Sequence, residues 1–293
     1  MFTEQFIAET SGGVLGIRKV ALKAVEDFIN EIRTAPFQAT RQVPKLTLLG
    51  SNIDSMDSND PFSNFEEGSV AIIPVIGPMF KYGTWRTYGV DELAELLALA
   101  DKSSKIIGTI ILVNTPGGNI QSLYRMEDVL RNRTKPCIAL VDGGCHSCGM
   151  YIASLADQIW ATNRMCSVGS IGVYATITND AEFMKRIGLE EIEIYPPESK
   201  FKNKAIRDAL NGKDKAFIEE HLSPFAQHFQ NIVKTNRPKL NLEVEGILEG
   251  KDFYAYDAIK YGLIDGICNL TGAVELVAKL AEEQKSIYQP FKI

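Results

Sequence analysis

The sequence predicts an α/β domain with a mostly parallel sheet, and two observations carry that expectation. Short β-branched runs alternate along the chain with stretches whose apolar residues fall at helical spacing. The runs are also apolar at nearly every position, not at every second one. Residues 106–113 and 136–141 thus read as strands covered on both faces, the pattern of a parallel sheet.

Taken in order, Val14, Ile17, Val20, Ala21, Ala24, Val25, Phe28, Ile29 and Ile32 predict an amphipathic helix over residues 14–32. Residues 50–67 are rich in Ser, Asp and Asn and read as a mobile linker. Residues 70–77 read as a buried strand, and 90–100 as a helix capped by Asp91. The strand at 106–113 runs into Asn114-Thr115-Pro116-Gly117-Gly118, and Ile120, Leu123, Met126, Val129 and Leu130 predict the helix that follows. The strand at 136–141 runs into a corner crowded with small residues, 142–154. Short strands at 158–161, 167–173 and 191–195 are expected, with helices at 183–187, 203–237, 255–264 (stopped by Gly262) and 271–283. Two successive strands therefore end in glycine-bearing turns on one edge of one sheet. Open α/β sheets bind ligands at that edge. The expected organisation is a helical extension and linker at 1–66, a core at 67–270, and a C-terminal helix and tail at 271–293.

Composition narrows the partners. The 293 residues carry 31 basic against 37 acidic side chains, net −6, without a basic block, which disfavours nucleic acid. The first residues lack the basic and apolar regions of a secretory signal, and no apolar run approaches the ~20 residues that span a bilayer. Five cysteines in apolar or glycine-rich settings suit reduced thiols, so a cytoplasmic protein is expected.

Chemistry concentrates at the corner. A serine at a strand-to-helix turn, here Ser147, can present its hydroxyl beside the N–H groups of the helix's first turn, while Gly117-Gly118 offers a second set of donors. The plainer alternative is a helix-capping serine. Only His146, His221 and His228 could serve a Ser-His-Asp triad. His146 adjoins Ser147, so its side chain points elsewhere, and the other two sit on a charged helix. A lysine with its charge suppressed by burial is the other route to a base, and Lys200, Lys202 and Lys204 are the candidates. Cys145-His146-Ser147-Cys148 also fits a redox C-x-x-C, an incomplete zinc set, or a cysteine nucleophile at Cys148; filler in a small-residue corner accounts for both thiols equally well.

Four ordered motifs carry a family resemblance over roughly residues 68–268: Val-Asn-Thr-Pro-Gly-Gly at 113–118, Ser-Cys-Gly-Met-Tyr-Ile-Ala-Ser-Leu-Ala-Asp at 147–157, Val-Gly-Ser-Ile-Gly-Val at 168–173, and Ala-Tyr-Asp-Ala-Ile-Lys-Tyr-Gly-Leu-Ile-Asp-Gly at 255–266. The chain resembles the protease IV/signal peptide peptidase A family, serine peptidases on the ClpP/crotonase fold, a spiral of repeated β-β-α units. The resemblance implies that Ser147 is the nucleophile and a lysine some fifty residues later the general base. Lys202 in Ser-Lys-Phe-Lys best matches the family context. Lys200 and Lys204 stay open because Asn203-Lys204-Ala205 replaces the family's following Gly-Ser/Asn-Pro. It also implies an oxyanion hole from Gly117, Gly118 and Cys148, and a supporting Ser170 that positions the lysine. It implies no metal or other cofactor, a peptide or protein substrate, and a homo-oligomeric ring. Family members that degrade signal peptides usually carry a membrane anchor, which is not evident here. The phage head-maturation branch, which processes capsid and scaffold subunits in the infected cytosol, fits better. The alternatives are a signal-peptide-degrading or general cytosolic peptidase, an acyl-CoA enzyme of the same fold, and a non-catalytic assembly protein.

Overall fold

The structure, a computed structural model, describes residues 15–17 by their backbone, together with residues 61–83 and 88–287. After β1 (Leu15–Ile17) come β2 (Ser69–Ile76), α1 (Val90–Lys102), β3 (Ile106–Thr115), β4 (Gly117–Asn119), α2 (Tyr124–Asn132), β5 (Cys137–His146), α3 (Cys148–Ser154), β6 (Gln158–Ala161) and β7 (Ser167–Gly169). The second half adds α4 (Ala181–Arg186), α5 (Lys204–Leu210), α6 (Ser223–Asn236), β8 (Asp252–Tyr254), α7 (Ala255–Lys260), β9 (Gly266–Ile267) and α8 (Leu270–Ile287). The main sheet runs β2-β3-β5-β6-β9, all parallel, with β7 parallel to the far end of β5 and β8 antiparallel to β7. This is the mostly parallel α/β sheet with flanking helices that the sequence predicts.

Both faces of the central strands are covered, which explains their unbroken apolar runs. Ile111, Val113, Ala139 and Val141 pack with Leu93, Leu97 and Met126 from α1 and α2. Ile110, Ile138 and Leu140 face Ala273 and Val277 of α8. Each fully buried aliphatic side chain of this kind contributes about 1.5–3 kcal/mol.

β5 forks, and the fork makes the corner. Its first half, Ile138–Val141, pairs with β6; its second, Gly144–His146, pairs with β7. Between them Gly143 takes φ 112, and a Cβ there would lie 2.8 Å from Asn114 Oδ1. Gly144 N–H donates to that same oxygen at 3.2 Å. The strand end is thereby swung away from β6, and the chain turns into α3 directly behind Ser147.

Several expectations need correction. Within the expected 14–32 helix, Leu15–Ile17 is a strand, and the rest lies outside the described residues. The 61–67 end of the expected linker is anchored, since Phe62 and Phe65 are buried against Ala71, Ala100 and Ile106. The N-cap of α1 is Gly89, whose N–H donates to Glu92 Oε2 at 3.1 Å; Asp91 lies inside the first turn. Residues 191–195 are irregular, and among the described residues no strand pairs with them. The helix expected over 203–237 is broken at Gly212, which takes φ 75, and only its last part buries an apolar stripe, at Phe229, Ile232 and Val233. The stop at Gly262, φ 74, is as expected.

Candidate active site

Ser147 occupies the turn between β5 and α3 with φ 50 and ψ −116, a region that costs a non-glycine residue about 1–3 kcal/mol. Two backbone bonds hold it there: Ser147 N–H donates to Gly169 O at 3.0 Å, and Tyr151 N–H to Ser147 O at 2.9 Å. The residue stands at the N-cap position of α3, yet its hydroxyl makes no capping bond. The hydroxyl faces Gly172 O at 3.4 Å, longer than an effective O–H···O bond. The capping role is therefore excluded, and the corner holds a strained serine whose hydroxyl points at Gly172 O rather than capping the helix. Ser147 is 2% exposed.

The glycine turn reaches this corner through β4. Cys148 Sγ donates to Gly118 O at 3.3 Å. Gly118 must be glycine, because a Cβ would stand 1.8 Å from Met79 O. Gly117 takes φ 103, and its N–H donates to Thr115 Oγ1 at 3.1 Å while that hydroxyl donates to Gly77 O at 2.6 Å. Gly117 is thus the pivot of the turn. Its N–H is engaged on Thr115 in this structure. Gly118 and Cys148 are brought to Ser147. Thr115 was not anticipated: its hydroxyl latches the turn, and its methyl lies where a Cβ on Gly149 would clash, at 2.4 Å. Only the Thr-Pro-Gly context hinted at it.

Ser170 also sits at positive φ, 54, with its N–H donating to Lys251 O at 3.0 Å. The Gly169-Ser170 turn is therefore the ledge that supports the Ser147 backbone. His146 points away, with Nε2 2.9 Å from Ser167 Oγ and 3.9 Å from Asp252 Oδ1. A second unforeseen group lies behind Ser147. The buried Tyr151 phenol donates to Glu127 and contacts His228 Nε2 at 2.9 Å, while Arg131 Nε donates to Glu127 Oε1 at 2.8 Å. Burial and the Glu127 carboxylate push the phenol far up, so it stays protonated. Burial alone would raise Glu127, but the bonds from Tyr151 and Arg131 outweigh it and hold the carboxyl below its ordinary range.

The thiols are not reactive. Burial pushes Cys148 up to about 12 and Cys145 further still, the opposite of a redox or nucleophilic cysteine. Among the described residues no three His, Cys, Asp or Glu side chains converge to hold a metal, and no helix is long and apolar enough to cross a membrane.

The lysines stand apart from the corner. Lys200, Lys202 and Lys204 are all exposed. Lys204 is paired with Asp208, and Lys200 lies 5.2 Å from the Phe201 ring centroid. Lys202 has no ion-pair partner among the described residues, and Arg207 Nη1 donates to its carbonyl at 2.7 Å. Within one chain none of the three contacts Ser147.

With this geometry in hand, comparison with known proteins is informative. A profile of Peptidase family S49 matches residues 129–284, more than half of the chain. The chain belongs to Peptidase family S49. It is 25% identical over 209 residues to Protease 4 of Haemophilus influenzae, covering 70% of this chain and 34% of that protein. It is 23% identical over 218 residues to the head-tail preconnector protein GP5 of Enterobacteria phage P21, covering 71% of this chain and 42% of the relative. The chain thus spans less than half the length of these two relatives. Among solved structures it is similar to a mutant of the 1510-N membrane-bound stomatin-specific protease, at 14% identity and a TM-score of 0.48 over 73% of this chain and 84% of that one.

Proposed function

We propose that this S49 chain is a serine endopeptidase that works by acyl transfer with a Ser147/Lys202 dyad. The observation that carries the reading is the strained serine, held at positive φ with its hydroxyl left uncapped and the Gly118 turn bonded to the residue that follows it. Ser147 Oγ attacks a peptide carbonyl and passes its proton to the Lys202 amine. The Cys148 N–H takes the developing oxyanion, joined by the Gly118 N–H when β1, paired to β4 in this structure, gives way. The amine product leaves with that proton, and water then hydrolyses the acyl-enzyme. One oxyanion donor is worth about 3 kcal/mol in kcat. Ser170 helps to orient the lysine.

Lys202 is the favoured base because it alone of the three has neither a carboxylate nor a ring to hold it. It reaches Ser147 from a neighbouring copy in a ring-shaped homo-oligomer. Support comes from the segment that bears it: Phe183, Ile192, Ile194 and Phe201 are all more than half exposed there. Similarity to a phage head-tail preconnector protein supports capsid or scaffold subunits as substrates, processed in the infected bacterial cytosol.

A fluorophosphonate probe should label the wild-type protein and not Ser147→Ala. Lys202→Ala should lower peptide cleavage by about 10²–10⁴-fold, while Lys200→Ala and Lys204→Ala keep most of it. Full cleavage by Ser147→Ala would overturn the mechanism. Intact assembly without cleavage by the wild-type chain would favour a non-catalytic assembly protein.

A further inference from the structure

β4 has two edges, and the chain itself occupies the one that a substrate would use. On the first edge, Met79 N–H donates to Gly117 O and Asn119 N–H to Met79 O, both at 2.9 Å. In an extended strand alternate residues turn their N–H and C=O to opposite sides. Gly118 therefore turns its own pair to the second edge, where β1 lies antiparallel with Leu15 opposite Asn119, Gly16 opposite Gly118 and Ile17 opposite Gly117. The Gly16–Gly118 pair has no Cβ on either strand, so the two backbones can close fully. Gly118 O also accepts the Cys148 thiol, so the residue facing β1 is in contact with the residue that follows Ser147.

We infer that Leu15–Ile17 is a resident pseudo-substrate: the Gly118 edge is the strand-addition site for peptide substrates, and the chain's own N-terminal strand holds it closed. Extended peptides add to exposed sheet edges through main-chain bonds, with little demand on side chains. A strand tethered to the same chain competes at high effective concentration. The 2% exposure of Ser147 in this state agrees with a closed site. The inference rests on the peptidase reading for its consequence, restraint of cleavage, but the pairing itself does not require catalysis.

Two measurements separate the two claims. In the Ser147→Ala background, a fluorescein-labelled peptide of residues 10–22 is titrated by anisotropy against the full chain and its Gly16→Pro and Ile17→Pro variants. Proline at 16 removes the N–H that faces Gly118, whereas proline at 17 removes one that faces away. The peptide should bind the Gly16→Pro chain at least tenfold tighter than the parent, and the Ile17→Pro chain much as the parent. A peptide that itself carries Gly16→Pro should not bind, a control that does not depend on a variant protein folding. With Ser147 restored, Gly16→Pro should raise cleavage of a fluorogenic peptide at least tenfold. Equal binding by all chains, or equal binding of both peptides, overturns the inference. Selective binding without cleavage by any chain would defeat the Ser/Lys reading and leave the resident strand standing.

Discussion

The Ser147 corner and the segment that carries the lysines are built on opposite principles. At the corner residues 145–156 are buried, Gly117, Gly143, Ser147, Gly169 and Ser170 sit at positive φ, and a Cβ on Gly118, Gly143, Gly144, Gly149 or Gly169 would come within 3.0 Å of a neighbour. From residue 176 to 204 almost everything is exposed: α4 buries no residue, and Ile194 and Ile192 are 88% and 73% exposed. One half of the site is therefore fixed by the fold of a single chain. The other half carries large exposed apolar side chains, which on the proposed reading a neighbouring copy covers. On the proposed reading, nucleophile and base belong to parts of the molecule with different requirements for order.

The sharpest way to break this contrast is a matched pair of substitutions. Gly118→Ala places a Cβ 1.8 Å from a backbone oxygen that cannot move aside. The expected cost is at least about 1–3 kcal/mol, a fall in unfolding midpoint of roughly 5 °C or more, and loss of peptide cleavage. Ile194→Ser should leave the midpoint within about 2 °C, since exposed sites shift stability by about 0.5 kcal/mol or less, while sedimentation shows weaker self-association. Similar thermal effects from both would remove the distinction.

A smaller effect sharpens it from behind the nucleophile. Glu127 titrates below its unfolded value because Tyr151 and Arg131 bond its carboxylate. Its contribution is thus present above the unfolded pKa and lost as pH falls through the lowered folded one. Urea midpoints followed from pH 7 down to pH 3 should fall less steeply in Glu127→Gln than in the parent chain, whereas Lys200→Gln, on the exposed segment and without a carboxylate partner among the described residues, should leave the slope unchanged.

The sequence discloses the corner far better than the lysine segment, for physical reasons. Strands β3 and β5 announce themselves because both faces are buried, and Ser147 because small residues crowd the turn that follows. The fork at Gly143 is silent, since one glycine in a run of small residues does not say which neighbour its strand will leave. β1 is silent too: three residues carry no periodicity, and glycine-on-glycine pairing leaves no side-chain pattern. The Thr115 latch depends on a hydroxyl finding Gly77, far away in sequence. Residues 191–195 mislead because β-propensity expresses packing against neighbours, and among the described residues no strand adjoins them. Lys202 stands out only by family context, because the base proposed here would act from outside its own chain and leave no local trace of burial.

Subunit mixing tests the central claim, that a complete nucleophile corner in one chain meets its base from another. Ser147→Ala and Lys202→Ala chains are each assayed alone, then co-assembled in equal amounts from separated subunits. Each should be inactive alone, and the mixture should recover cleavage at about a quarter of its sites, the fraction in which an intact serine faces an intact lysine in a symmetric ring. A mixture that forms mixed assemblies yet stays as inactive as its components would contradict the account.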